Sequence, residues 1–381
     1  MPEPRLDRME RTVTSHERFA HAMSHQPTGR PPFDIGGTSL TSMAAGCAAA
    51  LADFLGFRGE PARRVHGIDE RVLEWAGADF RSVGGIVGLP GPHARKVSDT
   101  EFVDCWGVRR ALRGTYWEIT SAPLSGASVQ DLKSYPWPEA RVDEGSLRRW
   151  EAQARELHEE GRHVVVAEHP VFGILELGCW MCGYDEFLLK LALDPDFVRT
   201  FFDLFFQIQM SVIEQYYPVL APYVELTTSG DDFGTQIGPF LSPRMFRELI
   251  APYFSARIAR TKELGRCLFW HHTCGSVAAL LDEIIACGVD ILNPVQTSAA
   301  DMDPPSLKAR FGDRIVFWGG VDVQQFLPQA TPSEVRSHVG ELIRVLGKDG
   351  GYVMAPAHNM QDDIPPENVA AWVETVRKCE A

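Results

Sequence analysis

From about residue 160 onward, short β-branched apolar runs alternate with amphipathic stretches of helical period, which is the pattern of parallel βα units. The runs His163–Ala167, Tyr223–Thr227, Cys267–Trp270, Asp290–Asn293, Ile315–Trp318 and Tyr352–Ala355 are the predicted strands. Helix starts are marked by an N-cap residue followed by proline at Asp194-Pro195, Ser242-Pro243 and Thr331-Pro332, and Glu334 three residues after Thr331 predicts a capping box. Between Ser276 and Cys287, the residues Val277, Leu280, Leu281, Ile284 and Ile285 recur at helical spacing and predict a helix covering the strand that ends at Trp270. The N-terminal part is less regular. Ser15–Ser24 reads as a helix, Pro32–Ile35 as a first barrel strand, and Glu101–Ser121 as an antiparallel excursion within roughly residues 95–125. No repeat or linker divides the chain, so the expectation is one α/β domain over residues 1–381, a (β/α)8 TIM-like barrel with an N-terminal decoration.

Composition is compatible with that size: 381 residues, 45% hydrophobic and 23% charged, support a large core. A net charge of −14 argues against a partner that is nucleic acid. The N-terminal stretch has no apolar core of a signal peptide, and no segment approaches the roughly 18 apolar residues of a membrane span, so a cytoplasmic protein without a membrane partner is expected. Eight cysteines are too sparse for a disulfide scaffold, and Cys179-Trp-Met-Cys182 reads as core thiols.

In such a barrel, chemistry gathers where strands end at the C-terminal face. The polar residues that follow apolar runs are Asp34, Glu168, His169, Asp231, Asp232, His271, His272, Cys274, Asn293, Gln296, Asp322 and His358. The strongest local pattern is Phe269-Trp-His-His-Thr-Cys-Gly275. A histidine and a cysteine two apart can face the same side of a strand end, and imidazole with thiolate suits zinc. A buried thiol beside a backbone-bonded histidine is the plainer reading of so short a motif. His358, after a separate strand, faces the same mouth if the barrel holds, as a third ligand or as an anchor for a substrate carboxylate. Asp231, Asp232 and Asp322 are candidate acid/base groups, and equally turn or capping residues. Asp34, Glu168, His271, Asn293 and Gln296 are candidate contacts to a small-molecule substrate.

In this order, Glu17-Arg-Phe19, Arg30-Pro-Pro32, Asp104-Cys-Trp-Gly107, Gly230-Asp-Asp-Phe-Gly-Thr-Gln236, His272-Thr-Cys-Gly275, Ile291-Leu-Asn-Pro294, Gly319-Gly-Val-Asp322, Ala355-Pro-Ala-His358 and Pro366-Glu-Asn-Val369 resemble the uroporphyrinogen decarboxylase superfamily over most of the chain. That superfamily includes zinc-dependent corrinoid:thiol methyltransferases. The true decarboxylases carry an arginine-bearing N-terminal segment that grips the porphyrinogen carboxylates, whereas the matching Pro32-Phe-Asp-Ile-Gly-Gly37 has no arginine. The methyltransferase branch is the better match, with a zinc motif of H-x-C followed much later by cysteine. His272 and Cys274 supply the first half, and His358 stands where the last cysteine is expected, making the site one charge less negative. The resemblance implies a zinc enzyme that exchanges a methyl group between a thiol or methoxyl compound and a corrinoid such as cobalamin, on a corrinoid protein partner, and a homodimer. A metal-free decarboxylase or lyase of a small carboxylic acid, and a non-catalytic corrinoid- or ligand-binding barrel, are the alternative readings.

Overall fold

The computed structural model describes residues 13–114 and 116–379. Seven parallel strands lie side by side in chain order: β1 (Phe80–Gly84), β2 (Val164–Glu168), β3 (Leu226–Thr227), β4 (Leu268–His272), β5 (Ile291–Val295), β6 (Val316–Val321) and β7 (Tyr352–Pro356). The sheet curls until β7 and β1 share one neighbour, the segment 32–34. The Asp34 N–H donates to Met354 O at 2.9 Å, the Met354 N–H to Pro32 O at 2.9 Å, and the Asp79 N–H to Phe33 O at 2.8 Å. Those bonds close an eight-position barrel, with the segment predicted as a full strand contributing one bridge at Phe33.

Period-two alternation sorts each strand into an inner and an outer row. Val164 and Val166 of β2, Trp270 of β4, Ile291 of β5, Val316 and Trp318 of β6, and Val353 and Ala355 of β7 pack together inside the barrel. Their alternates Val165, Ala167, Phe269, Leu292, Phe317 and Met354 belong to the outer core under the helices. Inside, Trp270 stacks on Trp318 at 4.2 Å, and Phe80 meets Trp318 at 4.4 Å. Phe19 of the helix Ser15–Met23 meets Phe80 edge-on at 5.6 Å and plugs this interior.

The seam is locked by charge. Asp79, just before β1, accepts from Arg18 Nη2 at 2.6 Å, pairs with Arg30 Nη1 at 3.2 Å, and accepts the Phe33 N–H at 2.8 Å.

Thr331 makes the predicted capping box with Glu334, and the Asp194 side chain accepts from Phe197 N. The helix predicted across 276–287 is shorter, Leu281–Ala286, because Val277–Leu280 turns tightly to bring the chain down from the barrel mouth. Between β1 and β2 stands a four-stranded antiparallel sheet, Arg95–Lys96, Glu101–Val103, Arg109–Arg113 and Tyr116–Ser121. Among the described residues no helix is long and apolar enough to cross a membrane.

Candidate active site

Because Trp270 points inward, His272 does too, at the C-terminal rim above the tryptophan floor, while His271 points out. There His271 lies 5.3 Å from the Phe233 ring and 4.7 Å from the Phe254 ring, completely buried, and burial followed by the nearby Arg257 keeps its imidazole neutral. It belongs to the barrel wall and has no place at the mouth.

His272, Cys274 and His358 converge, with their ligand atoms all within 4.8 Å of one another. Cys274 Sγ lies 3.3 Å from His272 Nε2. The imidazole is fixed from behind. Asn293 Oδ1 lies 2.6 Å from His272 Nδ1, and Asn293 Nδ2 donates to Trp318 O at 3.2 Å. That second bond sets the amide orientation, so Nδ1 carries the proton and the Nε2 lone pair faces Cys274. Asn293, which follows the inward Ile291 by two, therefore acts behind a candidate ligand.

Two neighbouring segments hold the His272–Gly275 turn. Asp232 Oδ1 accepts the Cys274 N–H at 2.8 Å, and Gln296 Oε1 accepts the Gly275 N–H at 2.7 Å. Gly275 has φ +84°, and a Cβ there would lie 2.6 Å from Thr235 O, so only glycine lets the 231–238 loop close over the turn. Burial first, then the Asp232 and Glu176 carboxylates, push the Cys274 thiol up. The same carboxylates favour a cation at the thiolate.

A cavity of about 680 Å³ opens beside these groups, lined by Cys274, His358, Gln296, Asp322, Gln236 and Asp363 among others. Among the described residues no lysine or arginine lines it. Asp322 Oδ1 accepts the Gln324 and Gln325 N–H groups at 2.8 and 3.3 Å, which turns the chain after β6 and keeps the carboxylate at the cavity wall.

Asp231 is committed elsewhere. Its Oδ2 accepts from Ile174 N at 2.8 Å and Leu175 N at 3.1 Å, and its Oδ1 from Glu176 N at 2.8 Å, so it caps the helix Ile174–Cys182 from another part of the chain. Glu168 accepts from Ser39 N at 2.7 Å and Ser39 Oγ at 2.8 Å. Asp34 accepts from Gly37 N at 3.0 Å and Thr41 Oγ1 at 2.7 Å, tying the 36–41 loop over the seam. Neither lines the cavity beside Cys274.

Burial pushes the Asp34 and Asp231 carboxyls up to about 7. In the unfolded chain such groups lose their protons near pH 4. The folded chain keeps them longer, so the stability contributed is full below about pH 4 and is lost as pH rises through about 7. Asp34→Asn is expected to flatten the decline of the unfolding free energy between pH 5 and 7.5 in urea titrations. A slope equal to the wild type's contradicts the assignment.

Sequence reasoning missed Glu176, whose carboxyl burial and the Asp232 and Asp231 charges push well up, and which acts electrostatically on Cys274. It lies inside the apolar run Ile174–Cys182, where nothing in the pattern marks it. Gln236 and Asn359 also line the cavity, and here a signal existed, since one ends the Gly230–Gln236 segment and the other follows His358.

Residues 170–379, more than half of the chain, match the family model described as uroporphyrinogen decarboxylase (URO-D). A protein named uroporphyrinogen decarboxylase from Psychromonas ingrahamii is 36% identical over 147 residues, 37% of this chain and 39% of that one. One of the same name from Pseudoalteromonas atlantica is 30% identical over 146 residues, 38% of this chain and 39% of that one. The matched segment thus spans about two fifths of the length of these relatives. Among solved structures, a methyltransferase from Methanosarcina mazei superposes with a TM-score of 0.63 at 16% identity, over 97% of this chain and 100% of that one, a likeness of fold.

Proposed function

Because this chain belongs to the uroporphyrinogen decarboxylase family, we propose that it is a zinc-dependent methyltransferase, moving a methyl group between a small thiol or methoxyl compound and a corrinoid. The observation that carries this reading is the convergence of His272, Cys274 and His358, with a 3.3 Å approach of Cys274 Sγ to His272 Nε2. Two imidazoles and a thiol at that spacing fit zinc, and three protein ligands leave a fourth position for substrate. An ion held by His272, Cys274 and His358 would supply Lewis acidity, stabilising a thiolate or polarising an ether oxygen at neutral pH.

The remaining roles fall to side chains. Asn293 fixes the His272 tautomer, so that no proton competes at Nε2. Asp232, with Oδ1 engaged by the Cys274 N–H, offers Oδ2 to hold the proton released by a substrate thiol. Asp322 and Gln296 line the cavity and orient what enters it. Among the described residues a polycarboxylate has no cationic partner on this wall. The large co-substrate is a corrinoid on a partner protein, and the assembly a homodimer.

The test is methyl transfer from methylcobalamin to a panel of small thiols, and the reverse reaction from methoxyl donors. Activity is expected to vanish on chelation and return with zinc. Turnover of a small carboxylic acid by fully chelated protein would instead establish a metal-free decarboxylase. Tight corrinoid binding with no transfer in either direction would establish a binding barrel.

A further inference from the structure

A second cavity, about 790 Å³, lies between the antiparallel sheet and the barrel mouth, within the range of small-molecule sites. Its walls are aromatic and aliphatic, among them Leu89, Phe102, Trp106, Phe172 and Trp180. Phe172 and Trp180 meet edge-on at 4.8 Å. Two arginines, Arg110 and Arg141, belong to this lining. Arg110, its side chain only 16% exposed, lies 4.6 Å over the Trp180 ring. Its Nε reaches Asp104 Oδ2 at 3.4 Å, while Asp104 Oδ1 accepts the Trp106 and Val108 N–H groups. Neither Nη of Arg110 has a hydrogen-bond partner among the described residues. The other arginine of the lining, Arg141, pairs with Glu139 at 3.1 Å on the surface.

The two cavities share a wall. The helix Ile174–Cys182 places Glu176 within electrostatic reach of Asp232, Cys274 and the Arg110 guanidinium alike, and Trp180 one turn later in the lining of the second cavity. Trp180 Nε1 donates to Tyr184 Oη at 3.2 Å, and the Tyr184 ring lies 6.3 Å from Phe240, which lines the first cavity with Cys274. A molecule seated against Trp180 and Arg110 is therefore one helical turn from Glu176, which acts on the candidate ligand Cys274.

We infer that the second cavity selects the methyl-bearing substrate, and that this substrate is a flat, apolar monocarboxylate whose carboxylate pairs with the Nη groups of Arg110 and whose ring packs against Phe172 and Trp180. A guanidinium fork matches a carboxylate in two parallel hydrogen bonds, and the aromatic walls exclude the water that would weaken them. A dianion is disfavoured, because Asp104 and Asp143 lie in the same lining. The inference rests on the methyltransferase reading for the word substrate, but the binding does not require the metal.

The experiment measures binding of 4-methoxybenzoate, its neutral isostere methoxybenzene, and acetate to the full chain, by calorimetry and by quenching of tryptophan fluorescence. The expected order has 4-methoxybenzoate tightest by at least about tenfold, since the neutral isostere lacks the charge-assisted pair. Arg110→Met is expected to remove that preference and leave methoxybenzene unchanged, with Arg110→Lys in between. Cys274→Ala keeps the binding, so loss of zinc or of methyl transfer leaves this inference standing. It is overturned if methoxybenzene binds wild type as tightly as the acid, if no probe binds, or if Arg110→Met retains the preference. Should Arg110→Met fail to fold, the wild-type ligand series and the weaker binding expected of Trp180→Leu decide the matter.

Discussion

Replacing Cys274 by alanine is expected to lower the zinc content of the purified protein from about one ion per chain to a trace, and methyl transfer with it. The residue supplies the only thiol of the three convergent groups, and the turn that carries it is held through the backbone N–H groups of Cys274 and Gly275, which alanine keeps, so the fold survives the change. Removing a group that merely orients a metal ligand weakens binding about 10–100-fold. Asn293→Ala is such a change, acting through the 2.6 Å contact to His272 Nδ1, and sets the lower bound. Cys274→Ala should exceed it. Competition titration against a chromophoric chelator reads both, and equal affinities for wild type and Cys274→Ala would remove the thiol from the site.

Asp79→Ala is expected to be the most damaging single change to stability. The carboxylate is 1% exposed and faces Arg18 and Arg30 at side-chain exposures of 10% and 4%. Taking away the shared acid leaves two buried guanidinium groups without their common anion, a loss of about 3–5 kcal/mol. It also releases the Phe33 N–H at the point where the barrel closes. Asp79→Asn keeps an acceptor oxygen and should lose less. Urea unfolding of both variants checks this, and a loss under about 1 kcal/mol for Asp79→Ala would mean that the seam is held by something other than this cluster.

The barrel was legible where strands are apolar on both rows, as in β2 and β6, and where a proline marks a helix start. It was not legible at β1, because Arg81 interrupts Phe80–Gly84. In the fold, Arg81 lies on the outer row, buried against Glu70 at 2.6 Å, so a charged residue in a buried strand is satisfied by a partner the pattern cannot reveal. The helix predicted at 276–287 followed real apolar spacing, but Val277 and Leu280 are buried within a tight turn, and spacing alone does not separate the two.

The candidate site divides in the same way. Alternation from Trp270 puts His272 inside and His271 outside, a distinction available in the sequence once the strand's inner row is known. Asp231 and Asp232 are adjacent yet serve different ends, one capping a distant helix and the other bracing the Cys274 turn, a division of partners that adjacency in sequence does not reveal. Trp106 and Trp180 line a cavity while Trp270 and Trp318 fill the barrel, a difference of tertiary placement.

X-ray absorption at the zinc edge, on protein purified without added metal, tests the His272, Cys274 and His358 site directly. The expected result is one zinc per chain with one sulfur at about 2.3 Å and two imidazole nitrogens at about 2.0 Å, the sulfur shell disappearing in Cys274→Ala. A metal-free protein that nevertheless turns over, or a zinc spectrum without sulfur, would contradict it.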